Sequence, residues 1–188
     1  MFAVVLLVLA NGFFVATEFA LVWVRRTRMQ QLATEGNARA TSVLDRLTHL
    51  DTYIAATQLG ITISSIGLGW IGEPAIARLL EPVFDRLTLL PQSTIDAIRH
   101  PISFAIAFSI VTALHIVFGE LAPKSIALQR PDETSLLTAG PIHFFYVVFR
   151  PVIVLLNSIG NAVVRSIGIQ PASGHELVQS ADELRLAI

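Results

Sequence analysis

The 188 residues are 53% hydrophobic and only 14% charged, whereas a soluble domain is about one quarter charged. Thirteen Lys and Arg against fourteen Asp and Glu leave no basic excess, which argues against nucleic acid as a partner. The absence of cysteine excludes disulfides and thiolate metal sites. The chain reads as a membrane protein.

The first apolar segment, residues 1–24, is long enough to cross a bilayer and is interrupted by Asn11, Thr17 and Glu18. It lacks a basic leading region and is too long for the apolar core of a signal peptide, so it is read as a retained span. Arg25, Arg26, Arg28, Arg39 and Arg46 follow it and predict a cytoplasmic loop. Within residues 27–50, Met29, Leu32, Gly36, Ala40, Val43, Leu47 and Leu50 recur every three or four positions. That spacing predicts an amphipathic helix along the membrane surface, split at Gly36-Asn37.

The second span, 53–72, carries no charge, but Thr57, Gln58, Thr62, Ser64 and Ser65 lie in it. Gln58, Thr62 and Ser65 fall on one face of a helix. Glycines at 60, 67, 69 and 72 allow close helix approach or local unwinding. Hydroxyls here either bond back to their own helix or contribute oxygens to a polar site. The loop after it sets Glu73, Glu81, Asp85 and Asp96 against Arg78, Arg86 and Arg99, which suits the non-cytoplasmic side. A third span, about 102–123, contains His115 and ends in "VFGELAPKS".

Beyond it, residues 136–165 form two short apolar halves parted by Arg150-Pro151, with Pro141 early in the first. Neither half spans alone, so a broken hairpin in the inner interface is expected. Three crossings place the N-terminus outside and the C-terminus in the cytoplasm. The segment "SADELRLAI" opens with a capping box at Ser180–Glu183 and resumes a helix. Residues 171–188 are therefore read as a linker from the membrane domain (1–170) towards a further cytoplasmic domain.

The chemistry concentrates at Glu120. Pro123 has no N–H, and its ring clashes with the carbonyl four residues back, freeing the Gly119 oxygen beside the Glu120 carboxylate. A free carbonyl and a carboxylate in a membrane both need a partner, and a cation that takes hard oxygens satisfies both. Lys124 could neutralise Glu120 instead, or extend to the interface. Glu18 could join the same site or anchor near Arg25 and Arg26; the reading here favours anchoring, and it treats His115 as a packing residue. Without cysteine or a histidine cluster the oxygens suit Mg²⁺, Ca²⁺ or Na⁺.

The stretches "ANGFFVATEFALVWVRRTRMQQLATEGN", "ATQLGITISSIGLGWIGEPAIA" and "VFGELAPKSIALQRPDE" resemble the transmembrane domain of the CorC/cyclin M (CNNM) magnesium transporters, called hemolysin-like in older usage. The resemblance implies an all-α integral membrane homodimer. Each protomer would have three transmembrane helices, a belt of juxtamembrane helices and an inward-facing polar cavity. It implies Mg²⁺ export across the cell membrane, coupled to Na⁺, and cystathionine-β-synthase (CBS) domains after the capping box. It implies a dehydrated Mg²⁺ held by Glu120 and small polar groups. On this sequence the expected ligands are Glu120, Ser65, Ser64, Thr62, Thr17 and the Gly119 carbonyl. Two departures stand out: Trp23 replaces a common Ser or Lys, and the second span reads "GITISS" where an Asn-containing segment is usual. No enzyme motif is visible. The alternatives are a non-transporting Mg²⁺ sensor, a scaffold in which Glu120 pairs with Lys124, and a Na⁺ or proton carrier.

Overall fold

The computed structural model describes residues 1–84 and 92–168. Every regular element among them is helical. The order is α1 (Phe2–Trp23), α2 (Arg26–Thr34), α3 (Ala38–Thr48), α4 (Leu50–Phe84), α5 (Gln92–Leu114), a π-helical segment (His115–Leu121), α6 (Ala122–Gln129) and α7 (Pro131–Ser166). Residues 85–91 of the expected outer loop, and the linker with its capping box, lie outside the described residues.

The amphipathic segment divides as its periodicity predicts. Gly36 takes a left-handed φ of 90°, a conformation that costs glycine little. Asn37 then caps α3, its side-chain oxygen accepting from the amides of Arg39 and Ala40. Met29, Ala40 and Val43 turn inward with Val24 at the end of α1 and Ala139 of α7. α2 and α3 thus form a belt at one end of the bundle, with Arg25 reaching Asp132 at 3.3 Å.

α1 is the axis of the domain. Its first half packs Val4 and Val8 against Leu68 and Ile76 of α4 and Ala107 and Val111 of α5. Its second half packs Phe14 and Leu21 against Tyr53 and Ala56 of α4 and Ile142 and Ile153 of α7. Asn11, fully buried, lies on α1 between these two apolar clusters.

Four helical stretches, Phe2–Trp23, Leu50–Leu80, Arg99–Gln129 and Pro131–Ser166, are long and apolar enough to cross a membrane, against the three expected. The difference lies in residues 136–165, which form one continuous helix rather than a broken hairpin, with Pro141 and Pro151 inside it. Each proline removes a single donor. Opening the chain there would strip several backbone groups of partners in apolar surroundings, a larger cost. Buried residues on α7 end at Ile153, and most of its apolar surface faces away from the rest of the chain. The second span is also longer than its uncharged core: α4 runs on through Glu73, Pro74 and Arg78.

Candidate cation site

Pro123 does not end the third span. The helix widens instead, and the amide of Ala122 bonds the carbonyl of Val117, five residues back. A π-turn of this kind absorbs the proline and releases neighbouring carbonyls from the regular ladder. The oxygen of Gly119 takes a new partner: Asn11 Nδ2 donates to it at 2.9 Å from α1. Close approach of the two helices makes this possible. A Cβ added to Gly12 would stand 2.9 Å from Pro123 Cγ and 3.0 Å from the Phe118 carbonyl oxygen, so only glycine fits there without displacement.

That bond fixes the orientation of the amide, because only its NH₂ can serve a carbonyl. Asn11 Oδ1 is left to accept from Ser65 Oγ at 3.2 Å. The Ser65 hydroxyl hydrogen is thereby committed, and His115 Nε2, 3.3 Å away, completes the chain as the donor. The polar groups run in one direction: His115 to Ser65 to Asn11 to Gly119. The Gly119 oxygen keeps a second lone pair.

Beside this chain lies a cavity of about 280 Å³ lined by Asn11, Val15, Glu18, Phe19, Ile61, Ser65, His115 and Glu120. Glu18 and Glu120 therefore share one cavity, and Glu18 is not an anchor to Arg25, which reaches Asp132 instead. The Gln58 side chain faces the Glu18 carboxyl. Lys124 does not neutralise Glu120: its ammonium lies 4.6 Å from the centre of the Phe19 ring, a cation–π distance. Among the described residues neither cavity glutamate has an ion-pair partner.

Of the expected ligands, Glu120, Ser65 and Gly119 come together here. Thr17 is fully buried and bonds back to the Phe13 carbonyl at 2.7 Å. Thr62 does the same to Gln58 at 2.8 Å. Ser64 is buried away from the cavity lining. Asn11, Glu18 and His115 are the additions. Asn11 and Glu18 are seven residues apart, two helical turns, so their shared face was open to a helical reading of α1. Among the described residues no three His, Asp or Glu side chains stand close enough to chelate a metal by themselves. The cavity offers two carboxylates amid neutral oxygens and an imidazole.

Comparison with known proteins decides the family. The description "Cyclin M transmembrane N-terminal domain" matches residues 2–188. The chain belongs to the cyclin M family. Cyclin M relatives at high similarity include the UPF0053 proteins YhdT and YhdP of Bacillus subtilis. YhdT is 47% identical over 97% of this chain and 38% of its own length. YhdP is 44% identical over 98% of this chain and 40% of its own length. An uncharacterized protein of Mycobacterium tuberculosis is 40% identical over 95% of the chain and 49% of the relative. The chain thus spans between about two fifths and one half of the cyclin M relatives it matches.

Proposed function

We propose that this cyclin M domain moves Mg²⁺ across the cell membrane, with Glu18 and Glu120 as the charged pair that receives the ion. The observation that supports this is the convergence on one cavity between membrane-length helices of two glutamates that have no ion-pair partner among the described residues. Carboxylates desolvated in a bilayer need a compensating charge, and a divalent cation supplies it. Mg²⁺ parts with its water reluctantly and is commonly held by one or two carboxylates with several waters retained. A cavity of about 280 Å³ has room for an ion with part of its shell. Ser65 and the remaining lone pair of the Gly119 carbonyl add neutral oxygens.

Transport follows alternating access, with helices rearranging about a fixed site. The family resemblance supports export coupled to Na⁺ entry, a homodimer, and cytoplasmic CBS domains in the longer relatives. The arginine-rich α2–α3 belt supports a cytoplasmic assignment for that end of the bundle, which puts the N-terminus outside. No step in this reading makes or breaks a covalent bond.

The test is Mg²⁺ flux in proteoliposomes for the wild type, Glu120→Gln and Glu18→Gln, alongside thermal unfolding against Mg²⁺, Ca²⁺ and Na⁺. At 100 times its dissociation constant Mg²⁺ should stabilise the fold by about 2.7 kcal/mol. Flux that falls in both variants supports the reading. Stabilisation by Mg²⁺ without any flux would favour a sensor, and no response to any cation would leave a scaffold.

A further inference from the structure

We propose that the cleft between α4 and α5 is the water-filled route joining the Glu18/Glu120 cavity to the end of the bundle opposite the α2–α3 belt, with Glu73 as a station for the cation on the way. The proposal rests on the transport reading and adds a path to it.

Two more cavities lie in line with the first. Ser65 and His115, which wall the glutamate cavity, also wall a second one of about 370 Å³. Glu73 and Phe104 wall that second cavity and a third of about 330 Å³, which reaches Arg78. Successive cavities thus share residues, and each greatly exceeds the roughly 30 Å³ that a water molecule occupies in the liquid. Glu73 lies eight residues beyond Ser65 on α4, about 12 Å along the axis.

Three local features mark this cleft as a passage rather than imperfect packing. Gly69 borders the second cavity, and a Cβ built there meets nothing within 4 Å. Ser103 borders the third cavity, is only 6% exposed, and its hydroxyl has no hydrogen-bond partner among the described residues. A buried hydroxyl calls for a partner, and water in the cavity would provide one. Phe104 and Phe108 stack with ring centres 6.0 Å apart and both line the second cavity. Paired rings on one wall give the passage an apolar stretch, and apolar stretches of a pore can gate by losing their water. At the outermost cavity Arg78, Arg99 and His100 accompany Glu73.

The chain has no cysteine, so single cysteines report on this route directly. Gly69→Cys and Thr112→Cys, both on the second cavity, should react with a charged, membrane-impermeant thiol reagent at least about tenfold faster than Ile66→Cys, because thiolate forms in water and not in lipid. Ile66 is 64% exposed on the outside of the same helix. Rates no faster than that control would overturn the proposal, whether lipid or a second copy fills the cleft. In proteoliposomes Gly69→Leu, whose Cβ has space, should abolish most Mg²⁺ flux while leaving the Mg²⁺-dependent rise in melting temperature intact. Unchanged flux in that variant also overturns it. Should the wild type move no Mg²⁺, the transport reading fails by itself, and the labelling rates still decide whether a water route exists.

Discussion

Asn11 and Gly119, 108 positions apart, are joined by a single buried hydrogen bond of 2.9 Å from the side-chain amide to the main-chain oxygen. It ties α1 to the widened turn and orients the amide towards Ser65. Replacing Asn11 by Leu keeps the number and branching of side-chain heavy atoms and removes the donor. Interhelical polar bonds in membranes contribute about 1–2 kcal/mol, so Asn11→Leu should lower the melting temperature in detergent measurably. An unchanged midpoint would mean that the carbonyl finds water as readily as it finds Asn11.

Gly12 makes a second, purely steric prediction. Its missing Cβ leaves the room that Pro123 and the Phe118 carbonyl occupy. Gly12→Ala should destabilise by about 1–3 kcal/mol, the usual penalty of overpacking. Adding Pro123→Ala removes the nearer of the two obstacles, so part of the loss should return. A double variant whose loss is the plain sum of the two single losses would show that Gly12 and Pro123 do not press on one another.

Glu18 and Glu120 are expected to act as one unit. Glu120→Gln should weaken Mg²⁺ affinity at least about tenfold, equivalent to about 1.4 kcal/mol, and Glu18→Gln should do the same. With both replaced, little further loss remains to be had, so the double variant should fall short of the sum. If Glu18→Gln kept the full Mg²⁺ response, Glu18 would be a bystander on the cavity wall. Titration of the thermal midpoint against Mg²⁺ settles this.

Tyr53 Oη and His143 Nδ1, 2.8 Å apart, connect α4 to α7. Tyr53→Phe should cost about 0.5–1.5 kcal/mol, the net contribution of an ordinary hydrogen bond. His143→Ala should cost a similar amount, and the two together no more than either. Faster amide exchange along α7 in Tyr53→Phe would locate the loss; exchange confined to α1 would contradict the assignment.

Sequence alone exposed much of this fold. Apolar length marked α1, α4 and the third span, and three-to-four spacing marked α2 and α3 with the break at Gly36-Asn37. At residues 136–165 the short apolar halves, Arg150 and the two prolines pointed to a broken hairpin, whereas one helix runs through them; apolar surroundings penalise open backbone more than a missing donor. At the site, the freed Gly119 carbonyl and Glu120 were legible because proline chemistry is local. Its partner was not, since nothing local links residue 11 to residue 119. Thr17 and Thr62 donate their hydroxyl hydrogens within their own helices, which leaves the oxygen lone pairs open to a cation. His115, read from the sequence as a packing residue, lines the same cavity as Glu120, although an α-helical projection would turn the two about 140° apart.

That last discrepancy has a mechanical meaning. The wide turn at His115–Leu121 acts as a vernier: it advances the chain without the usual rotation, and everything after it inherits the offset. The bearing of Lys124 over Phe19 depends on the same angular lag. Within this stretch the tally of residues therefore counts for more than most of their identities. Deleting one residue would restore ordinary pitch and swing Glu120 off its heading, whereas many exchanges at Ile116 or Val117, both outward-facing, would leave that heading intact. The third span is indexed like a screw thread, and Pro123 is where the index is set.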